Sequence, residues 1–159
     1  MVPRQFVVVP LIGPMPTGSE PGLIWRLAGP ADIPHIVELL REFYADREEL
    51  FEIPFDLAST VASVREILST GVCVVGPTSC AGATFHPFIV NHGVRVAFVQ
   101  FWYFREAREL LIFDVLVDEC KRLGATHVTA ASHAPEFTIG RLYGRRGMEP
   151  KELHFMRAL

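Results

Sequence analysis

The chain has 159 residues and a mass of 17.8 kDa; half of it is apolar, 21% is charged and its mean hydropathy is +0.27. That is the size of one domain with a sizeable core, which excludes a disordered chain. A net charge of −3 and a pI near 6.1 give no surface suited to nucleic acid or an anionic membrane, and no stretch reaches the ~18 to 20 apolar residues of a membrane span.

Seven of the 12 prolines (Pro3, Pro10, Pro14, Pro16, Pro21, Pro30, Pro34) fall in the first 34 residues. Residues 1–22 therefore read as an extended arm, apolar from Phe6 to Ile12 and turn-rich from Pro14 to Gly18. The apolar run after Arg4 is too short for a signal peptide, prolines break it, and no small-x-small cleavage site follows. An arm this apolar is expected to pack on its own domain or on a neighbour.

Leu23 to Leu27 is a short strand. Asp32 caps a helix with Pro34 in its first turn, and Ile36, Leu39, Leu40 and Phe43 recur at helical spacing. Ser59 to Leu68 repeats the pattern through Val61, Val64, Ile67 and Leu68. Gly71 to Val75 is strand-like. Ala83 to Val90 and Val94 to Phe104 are two more strands, split by the hairpin signal Asn91-His92-Gly93. Arg105 to Leu123 is the longest helix, with Phe113, Leu116 and Cys120 inside and Gly124 as its stop. His127 to Ala131 is a strand, Pro135 to Arg146 a helix closed by Gly147, and Leu153 to Met156 a last strand. The order β-α-α-β-β-β-α-β-α-β predicts one α/β domain with a mixed, mostly antiparallel sheet and helices on both faces.

The three cysteines match neither a disulfide framework nor a zinc site, so no metal and a reducing, cytoplasmic setting are expected. Cys73 and Cys120 read as small buried residues, Cys80 as an exposed turn thiol. His86 and His92 flank the hairpin and His127 and His133 share a strand face, without the tight spacing of zinc motifs. Alternation places Phe98, Trp102 and Phe104 on faces that a strand buries. The run Phe101-Trp102-Tyr103-Phe104 is either core or an aromatic surface for a partner.

Three stretches carry a family pattern. Arg26-Leu27-Ala28 with Asp32-Ile33-Pro34 and Leu39 is similar to an opening R-x-A-x-x-x-D-I-P-x-I-x-x-L. Arg141-Leu142-Tyr143-Gly144-Arg145-Arg146-Gly147-Met148-Glu149-Pro150 is similar to a closing x-L-Y-x-x-x-G-F-x-P, and Glu152 to Arg157 to the strand that follows it. Over residues 23–159 the chain thus resembles the GNAT superfamily of acyl-CoA-dependent N-acyltransferases. Phe85-His86-Pro87-Phe88, the aromatic run and Leu142 to Gly147 also look like small GNAT-type proteins encoded by bacteriophages.

The resemblance implies direct acyl transfer from acetyl-CoA or another CoA thioester to an amine. Tyr143 stands where such enzymes carry a tyrosine acting as general acid toward the CoA sulfur. The CoA pyrophosphate needs free N–H groups at a helix N-terminus, and glycines that let the backbone approach. This chain departs from that pattern. Between the fourth strand and the long helix it has Arg105-Glu106-Ala107-Arg108-Glu109, with no glycine between Gly93 and Gly124. Matched to the family's P-E-x-R at Glu106-Ala107-Arg108, Glu109 takes the first glycine's place; matched without a deletion, the glycine positions fall on Arg105, Ala107 and Glu109. Either way Glu106 and Glu109 look like replacement charge at the helix end, and Arg105 and Arg108 remain as cofactor-binding candidates.

Gln100 replaces the fourth-strand glutamate and Glu136 the asparagine before the closing helix. Asp46, Glu48, Glu49 and Glu52, with Glu149, read as solvated charge or as a match for a cationic acceptor. Two functions follow. One is an N-acyltransferase with a degenerate CoA loop and weak or lost activity. The other is a non-catalytic assembly module, such as a phage virion component, using residues 1–22 and Phe101–Phe104 for protein contacts or self-association.

Overall fold

A computed structural model describes residues 25–45, 53–131 and 143–150, with backbone alone at Ala107 and Arg108. The arm, the start of the closing helix and the last strand lie outside these residues. The chain divides into two units, Met1–Thr129 and Ala130–Leu159.

In the larger unit β1 (Arg26–Leu27) leads through a 3-10 turn (Pro30–Asp32) into α1 (Ile33–Ala45). Asp32 closes that turn backwards: its carboxylate accepts the Gly29 N–H at 2.8 Å and both guanidinium donors of Arg26. The Arg26 hydrogen bonds hold its pKa down at about 2. α2 (Leu57–Thr70) starts at Asp56, whose carboxylate accepts the Ser59 N–H at 2.7 Å, a standard N-cap. β2 (Val72–Val75), β3 (Ser79–Phe88) and β4 (Asn91–Phe104) follow, then a 3-10 segment (Ala107–Leu111), α3 (Ile112–Arg122) and β5 (His127–Ala130). The sheet has five strands in the order β1-β2-β3-β4-β5, and the first three pairings are antiparallel.

Strand alternation at β2 explains the two-sided core. Cys73 and Val75 join Ile36, Leu39, Val64 and Ile67 under α1 and α2, while Val72 and Val74 join Ile112, Leu116 and Cys120 under α3. All four β2 side chains are buried, the pattern of a strand covered on both faces. A fully buried Leu, Ile or Phe contributes about 1.5–3 kcal/mol, so Ile36, Leu39, Phe113 and Leu116 are its main anchors. Gly71 makes the α2–β2 corner possible: a Cβ there would lie 2.1 Å from the Ala83 carbonyl oxygen.

Four sequence expectations change. Phe88 pairs with Asn91, so the hairpin reverses at Ile89-Val90; Asn91 instead accepts the Gly93 N–H at 3.1 Å inside β4. Cys80 is fully buried on β3, because the strand begins at Ser79 and not after the turn. α3 starts at Ile112 rather than Arg105, since the junction before it is tied to the β2–β3 turn.

The fourth change concerns the aromatic run. Gly82 pairs with Phe101 but Ala83 pairs with Val99, leaving Gln100 as a β-bulge that reverses the alternation. Phe101 and Tyr103 therefore face α1 and α2, whereas Val99 and Trp102 share the α3 side. Phe98 is opposite in phase to Val99, 38% exposed, with its ring against His86 at 5.5 Å. Gly82 fits the bulge because the Phe101 ring fills its missing Cβ position, 2.6 Å away.

β3 also outruns β2, whose first residue Val72 pairs with Ala83. Among the described residues no strand pairs Thr84–Phe88 on that side. The Ala83 carbonyl points to that side, so by alternation Phe85 and Pro87 present their backbone there, and Pro87 has no N–H.

Candidate functional site

The β4–α3 junction is the place where an anion would meet a helix N-terminus. Arg105 leaves β4 with its N–H bonded to the Thr78 carbonyl at 3.0 Å. Its guanidinium forms a two-point ion pair with Glu42 of α1, Nε to Oε2 at 2.7 Å. That hydrogen bonding holds the Glu42 carboxyl below the usual range and raises Arg105 further. Glu109 is 1% exposed. One carboxylate oxygen accepts the Thr78 hydroxyl; the other has no hydrogen-bond partner among the described residues. The Glu109 N–H bonds back to Glu106 O at 2.9 Å, and the Ile112 N–H goes to Glu109 O and Leu110 O.

Three backbone donors of the junction are thus committed to the chain itself, and a side chain turns inward where a phosphate loop needs bare backbone. Arg105 is engaged by Glu42, and the Arg108 side chain lies outside the described residues. Glu109 is not a charge placed at the helix mouth, as its sequence position suggests, but a buried carboxylate under the β2–β3 turn.

Gln100 donates from its amide to the Thr84 hydroxyl at 2.9 Å, at the bulge. Tyr143, in the smaller unit, donates its hydroxyl to the Ala131 carbonyl at 3.4 Å, and burial raises its pKa. A phenol so shifted keeps its proton at neutral pH, as a general acid must. Glu136 and His133 lie outside the described residues. His127 Nδ1 meets the Thr126 hydroxyl at 3.0 Å, and among the described residues no three His, Cys, Asp or Glu stand close enough for a metal.

The aromatic run is half-buried throughout. Tyr103 packs edge-on to Phe43 at 5.8 Å, and Trp102 lies 4.6 Å from Phe113 and 5.6 Å from Phe104. Exposed apolar side chains gather instead at the hairpin tip: Phe88, Ile89 at 84% and Val90 at 80%. Sequence reasoning missed a cavity of about 410 Å³ between α1 and α2, floored by Phe101. Its only advance sign was the apolar linker Ile53-Pro54-Phe55 ahead of α2.

No family model and no curated protein matches the chain. Solved structures do. A protein from Arthrobacter sp. FB24 assigned as an acetyltransferase has a TM-score of 0.67 at 20% identity, over 89% of this chain and 99% of its own. One from Clostridium acetobutylicum, solved with acetyl-CoA, has a TM-score of 0.67 at 16% identity, over 86% and 96%. An acetyltransferase from Trypanosoma brucei has a TM-score of 0.60 at 18% identity, over 86% and 99%. These are GNAT-type acetyltransferases, and the chain has their fold. Among the described residues no helix is long and apolar enough to cross a membrane.

Proposed function

We propose that this chain is a GNAT-fold relative of the N-acyltransferases in which acetyl-CoA-dependent transfer is weak or lost. The observation that carries the reading is Glu109, buried and bonded to Thr78 where the family pattern has a glycine. Removing several backbone donors from a charged group costs several kcal/mol of binding, roughly 1.5–3 for each bond to a charge. Tyr143 keeps the proton of a general acid, yet without a held thioester it has no leaving group to serve.

Calorimetric titration of acetyl-CoA and CoA, with thermal shift alongside, tests this. The expected result is no heat and no shift at millimolar ligand. A micromolar dissociation constant, about −8 kcal/mol, would overturn it. Glu109→Gly is expected to gain measurable CoA binding, because it clears the carboxylate and lets a phosphate approach the main chain at that position.

The exposed hairpin tip supports a second reading, an assembly module, for which the phage-like motifs suggest a virion. Ile89→Ser/Val90→Ser is then expected to dissociate any oligomer seen by equilibrium sedimentation. An unchanged mass would remove the tip from consideration.

A further inference from the structure

The β3–β4 hairpin ends in apolar side chains that folding does not use. Ile89 and Val90 occupy the two turn positions, where Gly, Asn and Asp are the usual residues, and with Phe88 they stand exposed. β3 and β4 run on past the last β2 pairing at Ala83, so the tip projects beyond the part of the sheet that β2 covers. The net charge of −3 argues against an anionic partner surface, but it is an average. No Asp or Glu occurs between Glu66 and Glu106, a stretch that includes the whole hairpin.

Arg95 pairs with Pro87, one strand step of about 3.3 Å behind Phe88. Its guanidinium lies over the Phe85 ring and donates to the Leu123 carbonyl at 2.8 Å, at the end of α3 that carries Lys121 and Arg122. Arg122 is bonded to Glu119, whereas Arg95 and Lys121 have no carboxylate partner among the described residues. An apolar tip with cations just behind it matches an anionic bilayer, where apolar groups sink about 5–10 Å and basic residues meet the headgroups. A protein partner would need many further contacts, since a standard interface engages roughly 20–30 residues a side, whereas lipid deforms around a convex tip. We propose that the hairpin docks on an anionic lipid surface, with Phe88, Ile89 and Val90 at the headgroup boundary and Arg95 and Lys121 against the lipid phosphates. The proposal goes beyond the reading above and requires neither CoA nor acyl transfer.

All three native cysteines are buried, so His92→Cys, exposed beside the tip, offers one reactive thiol for an environment-sensitive fluorophore. Vesicles of equal parts phosphatidylcholine and phosphatidylglycerol, added to the labelled full chain, are expected to shift its emission to the blue. The same label on Ala31→Cys, exposed at the other end of the sheet where His35 bonds to Gly76, is expected to stay unshifted. Vesicle sedimentation of the unlabelled chain is expected to show about fivefold weaker binding to pure phosphatidylcholine. Lys121→Gln should lose about two- to fivefold on the anionic vesicles and nothing on phosphatidylcholine. Ile89→Ser/Val90→Ser keeps the fold, since both side chains are exposed, and should weaken binding about tenfold or more. No shift at millimolar lipid, equal shifts at positions 31 and 92, or equal binding to the two vesicles would each overturn the proposal. A shift that appears without vesicles and grows with protein concentration would make the tip a contact between copies, and would overturn it too. None of these outcomes depends on whether CoA binds.

Discussion

Thr78 holds two parts of the β4–α3 junction at once, its carbonyl taking the Arg105 N–H and its hydroxyl serving Glu109. Replacing it with valine keeps the shape and removes the donor that the buried carboxylate has among the described residues. Thr78→Val is expected to cost about 2 kcal/mol in urea unfolding, within the ~1.5–3 kcal/mol of a hydrogen bond to a charged group. Thr78→Ser should recover most of it. Thr78→Val/Glu109→Met should be less destabilised than Thr78→Val, because no unpaired carboxylate is left buried. An unchanged unfolding midpoint for Thr78→Val would mean that water reaches Glu109. In the sequence Glu109 is conspicuous only as an intruder in a glycine pattern. Its inward turn was not legible, since its partner lies 31 residues away. Cys80 was misjudged for a related reason: a hydroxyl pair before it looks like a turn, yet the strand has already begun at Ser79.

At the scale of elements, periodicity served well where one face is apolar. Ile36 and Leu39 of α1, Val64 and Ile67 of α2, and Leu116 and Cys120 of α3 are all in the core that their spacing predicts. It failed where geometry is set by a neighbouring strand. The bulge at Gln100 depends on how β4 pairs with Gly82 and Ala83, and nothing within β4 announces it. Deleting Gln100 would leave Val99 and Phe101 as neighbours on the opposite faces they already occupy, so β4 becomes regular without turning any side chain over. The deletion is therefore expected to keep the fold at a cost below about 2 kcal/mol, and Gln100→Ala, at an exposed position, should cost less than about 1 kcal/mol. Thermal melts by circular dichroism check both. A deletion variant that fails to fold would show that the local twist of the bulge is itself required.

Over the whole molecule, the fold was legible because every β2 residue is apolar and helical patterns stand on either side of it in sequence. The junction was legible as a departure from a family pattern, though not in its chemistry. The cavity between α1 and α2 was legible only through the apolar linker Ile53-Pro54-Phe55. It consists of the space that α1, α2 and β4 leave between them, which the sequence does not outline.

The overhang of β3 beyond β2 has a consequence for how copies of this protein tolerate crowding. A strand edge unpaired among the described residues, leading at Phe88 into the exposed turn Ile89-Val90, is the raw material of self-templated growth, one chain extending the sheet of the next. Pro87 removes an N–H from the open side, so an incoming strand finds the Phe85 donor and little beyond it. Pro87→Val would restore that donor with a strong strand former. It is expected to shorten the lag before thioflavin-positive aggregation at high concentration, with little change in melting temperature. If the lag is unaltered, the protection comes from elsewhere. If it shortens, one ring closure at position 87 is what lets a protein with a greasy, protruding hairpin remain dispersed.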